Sequence, residues 1–157
     1  MGVPTNLLFL DFDGVLHSHD AHFALADVKV PIEDLLAAGL FIHRELLSEI
    51  LKPYPRVGLV VHSTWRKTHD LRALRRLLGP VGDRLAGATA DGLEREASVL
   101  EYMRRRGIRA ERILILDDAP ASFAVLRSRV LQCSPSLGLS EPGVQRSLEA
   151  ALGCLSS

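Results

Sequence analysis

What most constrains this chain is a repeated alternation: short runs of apolar residues, several ending in acids or hydroxyls, separated by segments whose apolar positions follow helical spacing. Asn6 to Phe12 is a continuous apolar run closed by an acid and Gly14, which reads as a buried strand. Val57–Val61 is a second, Leu85–Thr89 a weaker third, Ile113–Leu116 a fourth that again meets acids, and Val130–Gln132 a weak fifth. Between them, Phe41, Ile42, Leu46, Leu47, Ile50 and Leu51 keep helical spacing until Pro53 and Pro55. Thr68 is placed to cap a helix carrying Leu71, Leu74, Leu77 and Leu78, stopped by Gly79-Pro80. A helix over 94–106 ends at Gly107, a short one covers Phe123–Leu126, and Ser140 starts a last one through Leu152 with Pro142 in its first turn. Residues 17–40, interrupted by Pro31 and Gly39, read as a loop with about one helical turn.

Alternation of this kind implies a Rossmann-like three-layer α/β/α sandwich: a five-stranded, mostly parallel sheet with helices on both faces. At 157 residues the chain suits a single domain over 1–157, with 17–40 as a small insert or minimal cap. Zero formal net charge argues against a protein built for strong nonspecific nucleic-acid binding. Sixteen of the 19 basic residues are Arg, which suits phosphate contacts but also follows genome composition, so the skew decides little. Cys133 and Cys154 have no CxxC or His partner and read as thiols in a reducing compartment. No apolar run approaches the roughly 18 residues of a membrane span, and Leu7–Leu10 runs into acids, unlike a secretory signal. A cytoplasmic protein is expected.

Open parallel sheets bind ligands beyond the carboxyl ends of their strands, so the residues there should form a coherent chemical set. Asp11 and Asp13 follow the first strand, Ser63, Thr64 and Arg66 the second, Asp117 and Asp118 the fourth, and Arg95 opens the helix before the fourth. Clustered carboxylates repel and call for a cation; all-oxygen ligands suit Mg²⁺. Arg95, Arg66 and the Ser63 hydroxyl supply positive charge and donors for a phosphate. Taken singly, each group also fits a turn or a helix cap; three groups on three strand ends point to phosphoryl chemistry.

These residues resemble the motifs of the haloacid dehalogenase-like (HAD) superfamily. Asp11-Phe12-Asp13-Gly14-Val15-Leu16 matches the D-x-D-x-T/V-L motif, Leu59-Val60-Val61-His62-Ser63 the second, Arg95 the third, and Ile113-Leu114-Ile115-Leu116-Asp117-Asp118 the fourth. Ser63-Thr64-Trp65-Arg66 and Gly138-Leu139-Ser140 further resemble the HAD domains of bacterial RNA-repair (Swiss Army Knife) proteins. The resemblance implies that Asp11 attacks phosphorus, giving an aspartyl-phosphate, and that Asp13 is the acid/base. It implies that Mg²⁺ is held by Asp11, the Asp13 carbonyl and an acid of the Asp117-Asp118 pair, with Ser63 and Arg95 on the phosphoryl oxygens. Gly14, His17, Thr64 and Arg66 are further candidates for substrate contact. The implied reaction is hydrolysis of a phosphomonoester, with an RNA or DNA end or a nucleotide as substrate. A small phosphometabolite and a non-catalytic phosphate-binding module of the same fold are the alternatives.

Two departures stand out. The third motif carries Arg where Lys is commoner, and the stretch between Leu16 and Val57 has no room for a large cap. An uncapped site suits bulky substrates. Weaker signals remain. His17, His19 and His22 fit no metal-ligand pattern and read as a solvent loop, with His17 able to line the site. Trp65 is read as packing ahead of stacking a base, and Arg72, Arg75, Arg76 and Arg104–Arg106 as solvated faces. No G-x-S-x-G elbow supports a serine hydrolase on Ser63.

Overall fold

A computed structural model of the chain describes residues 2–23 and 30–155. Five strands, β1 (Asn6–Leu10), β2 (Val57–Val61), β3 (Leu85–Ala88), β4 (Ile113–Asp117) and β5 (Val130–Gln132), form one sheet in the order β3-β2-β1-β4-β5. Every neighbouring pair is parallel. The connecting helices are α1 (His19–Phe23), α2 (Ile32–Ala37), α3 (Arg44–Leu51), α4 (Leu71–Leu78), α5 (Arg95–Arg106) and α6 (Pro142–Leu155). None among the described residues is long and apolar enough to cross a membrane.

The unbroken apolar runs of β1, β2 and β4 follow from burial on both faces. Leu7, Phe9, Val60, Ile113 and Ile115 pack against Val99, Tyr102 and Met103 of α5. Leu8, Leu10, Leu59, Val61, Leu114 and Leu116 meet the apolar faces of α2, α3, α4 and α6. The strand order reverses between β1 and β4. In doubly wound sheets this switch point leaves a crevice outside the strand ends, and here it lies beyond Leu10 and Leu116.

Several local expectations change. β1 ends at Leu10; Phe12 is buried, but its carbonyl accepts from Val15 and Leu16 in a tight turn. Within 17–40 there are two short helices, α1 and α2, and residues 24–29 lie outside the described set. Asp70 caps α4, accepting from the Ala73 amide at 2.8 Å, in place of Thr68. The helix expected over Phe123–Leu126 is absent. The Glu96 carboxylate accepts the Val125 and Leu126 amides (2.9–3.2 Å), satisfying donors that helical bonds would have used, while Phe123 and Leu126 still reach the core. Phe41 and Ile42 precede α3, Phe41 at φ 61° and Ile42 in solvent.

Candidate active site

Strand register builds the site. Leu10, Val61 and Leu116 lie side by side, and the ladder runs one residue further through Asp11 N–H to the Leu116 carbonyl (3.1 Å) and His62 N–H to the Leu10 carbonyl (3.2 Å). Asp11, His62 and Asp117 therefore start the same rim.

Carboxylate oxygens of Asp11, Asp117 and Asp118 lie within 4.8 Å of one another. Arg95, first residue of α5, reaches into this group: its Nη1 donates to Asp11 Oδ2 at 3.0 Å and to Asp117 Oδ1 and Oδ2 at 2.9 and 2.7 Å. Burial pushes the Asp11 carboxyl up to about 8, Asp117 adding repulsion against the pull of Arg95. Burial acts on Asp117 too, but the His62 hydrogen bond and Arg95 outweigh it and hold Asp117 low. Burial, then Asp117, raises half-buried Asp118. Burial disfavours the Arg95 charge, yet Asp11 and Asp117 more than restore it. Three clustered acids, two of them raised despite Arg95, all offering hard oxygen donors, fit a divalent cation.

Asp13, two residues on, points its Oδ1 toward two donors, His17 Nε2 at 2.7 Å and Trp65 Nε1 at 3.1 Å. Gly14 sits at φ +76°, and a Cβ there would run into the Asp118 carboxyl, with its Cγ only 2.7 Å away. The Gly14 amide is engaged by the His17 carbonyl (2.9 Å), so its place in the site is clearance for Asp118.

Ser63 is buried and begins the 3₁₀ turn Thr64–Lys67, its Oγ accepting from the Trp65 amide at 3.3 Å. Thr64 is exposed at the first position of that turn. Arg66, expected to clamp phosphate, donates instead to the carbonyls of His62, Ser63, Thr89 and Ala90 at 2.6–3.3 Å. Four of its five N–H donors are thereby taken up in tying the turn after β2 to the segment after β3. His17 is likewise no solvent-loop residue; it is 1% exposed and bound to Asp13.

Sequence reasoning missed His62. Its Nε2 donates to Asp117 Oδ2 at 2.8 Å, burial holds its ring below its ordinary range, and its ring stands nearly perpendicular to that of Phe123. Its Nδ1 is a buried atom with no hydrogen-bond partner among the described residues, which is tolerable for a neutral ring because an orphan acceptor costs less than an orphan donor. The signal was present: His62 follows Val61, the register partner of the residue before Asp11.

A family model described as the HAD domain in Swiss Army Knife RNA repair proteins matches residues 7–144, from within β1 into α6. The chain belongs to this family. Its five-stranded parallel sheet is the HAD-like fold, a fold of hydrolase type, and the match spans Asp11, Ser63, Arg95 and Asp117 in order. Comparisons with curated proteins and with solved structures gave no match.

Proposed function

We propose that this HAD domain is a Mg²⁺-dependent phosphomonoester hydrolase working through an aspartyl-phosphate. The observation that carries the reading is Arg95 Nη1 bridging Asp11 and Asp117 inside a three-carboxylate cluster at the sheet's switch point. An Asp11 carboxylate oxygen bonds to phosphorus as the bond from phosphorus to the leaving oxygen breaks, and Asp13 gives that oxygen a proton. Water then attacks phosphorus, the bond to Asp11 breaks, and Asp13 takes the proton from water. Asp11, the Asp13 carbonyl and the Asp117-Asp118 pair would hold Mg²⁺, which when bound neutralises charge on the carboxylates and on the phosphoryl group. Both Asp117 oxygens already accept hydrogen bonds, from Arg95, His62 and the Ala119 amide (2.7 Å), so Asp118 is the acid of the pair more open to an ion. The Ser63 hydroxyl and Arg95 hold phosphoryl oxygens.

The family's association with RNA repair and the short insert between β1 and β2 favour a nucleic-acid end or nucleotide as substrate over a small phosphometabolite. We read the chain as one domain acting in the cytoplasm, with α1 and α2 as a minimal cap. A phosphate-binding module without turnover is the competing reading. An aryl phosphate assay with Mg²⁺ separates them: the hydrolase reading expects turnover that disappears in Asp11→Asn and with chelator. Absence of turnover on aryl phosphates and on 3′- and 5′-phosphorylated oligonucleotides would leave the binding module.

A further inference from the structure

Asp13 has to serve both half-reactions, and an aspartate on a loop has two free side-chain torsions. Three segments remove that freedom here. His17 comes from the loop after β1, Trp65 from the turn after β2, and Phe41 from just before α3. The Phe41 amide donates to His17 Nδ1 at 3.1 Å, which makes Nδ1 the acceptor and places the ring hydrogen on Nε2, the atom 2.7 Å from Asp13 Oδ1. Trp65 Nε1, donor only, reaches the same oxygen at 3.1 Å.

The donors are themselves fixed. His17 is 1% and Trp65 6% exposed. The Phe41 ring stands edge-on to Phe12 (5.0 Å), His17 (4.9 Å) and Trp65 (5.1 Å), so neither donor can swing away without opening an aromatic cluster. Phe41 also holds φ 61°, a left-handed backbone that L side chains rarely adopt. That conformation persists because the ring and the amide are both tied to the site.

We propose that His17 and Trp65 are positioning residues for Asp13: they pin Oδ1 and so hold its carboxyl in a fixed direction for proton transfer. This assignment rests on the hydrolase reading above. It gives Trp65 and His17 a role distinct from substrate contact, and it makes their effect depend on how much the leaving oxygen needs a proton.

The test uses the full chain with Mg²⁺ and two substrates, dinitrophenyl phosphate, whose leaving group departs without a proton, and a nucleoside 3′-phosphate, whose leaving group requires one. Trp65→Phe removes the N–H while keeping a smaller aromatic ring in the cluster. It should lower kcat/KM on the nucleoside phosphate, which reports phosphoryl transfer to Asp11, by about tenfold, with kcat/KM on dinitrophenyl phosphate within about twofold. His17→Leu should lose about a hundredfold on the nucleoside phosphate, and His17→Gln, which keeps a donor near the Nε2 position, should recover part of it. Nitrogen NMR of the wild-type histidines should show His17 as the Nε2–H tautomer, with its resonance moving in Asp13→Asn. Equal losses of kcat/KM on both substrates, or an Nδ1–H tautomer, would overturn the positioning role while leaving the hydrolase reading intact. A wild type inert toward both substrates would remove the hydrolase reading and this role with it.

Discussion

Metal-free stability should fall as pH rises over the same window in which Mg²⁺ affinity increases, because both are governed by Asp11. Burial, with Asp117 beside it, lifts this carboxyl from 3.8 to about 8. A folded-state pKa above the unfolded value means that the folded chain binds the proton more tightly. The stability this contributes is complete below about pH 4 and is lost as pH rises through about 8. A gap of about 4 units at ~1.4 kcal/mol each sets a ceiling of about 6 kcal/mol on the loss. Asp118, also raised, acts in the same direction; Asp117, held low, acts only below the window, and His62 and His43, held below their ordinary value by burial, oppose the fall until about pH 6.5. A cation needs the ionised form, so its apparent affinity should gain about tenfold per pH unit up to about pH 8 and then level off, with about one proton released per ion near neutrality. Denaturant melts between about pH 5 and 9 with chelator, and titration calorimetry in two buffers of different ionisation enthalpy, measure the two limbs. Asp11→Asn should flatten the stability limb and abolish the proton release. Metal-free stability that is flat or rising between about pH 6.5 and 8, or Mg²⁺ binding without proton release, would refute the electrostatic account of the cluster.

Gly14→Ala should destabilise by about 1–3 kcal/mol in chemical denaturation and weaken Mg²⁺ binding, since the new Cβ combines positive φ with displacement of Asp118. Arg66→Ala should cost about 2 kcal/mol of stability and raise protease cleavage near residues 88–91, with a smaller effect on KM than a phosphate clamp would show. Cys133 is fully buried, and burial pushes its thiol up to about 12. In a Cys154→Ser background, a thiol reagent should label the chain only after denaturation.

The sheet was legible because its evidence is local and redundant. Val57–Val61 and Ile113–Leu116 are apolar at every position, a pattern that only a strand covered on both faces explains. The acids were legible for a related reason: Asp11 and Asp117 stop such runs, and register then brings them together without any tertiary detail. The partners of Arg66 and His17 were not legible because side-chain direction is set by groups far away in sequence. Nothing around Arg66 announces that Thr89 and Ala90 will offer their carbonyls, and nothing around His17 announces the Phe41 amide. The irregular piece over Phe123–Leu126 depends on Glu96, on another element, so its local apolar spacing suggested a helix.

Arg95 shows how a departure from the commoner motif changes what one residue can do. A lysine at the start of α5 would bring a compact charge with three donors to the acids. The guanidinium reaches Asp11 and both oxygens of Asp117 through Nη1 alone, and the side chain is still about one-third exposed at the rim. Its planar fork has further N–H groups beyond Nη1. In the proposed reaction the same residue can therefore tether the two buried acids and present donors to a phosphoryl oxygen without releasing either. That division suits the minimal cap proposed above, because the positive charge that greets an incoming phosphate is already fixed in the rim and does not have to arrive with a closing domain.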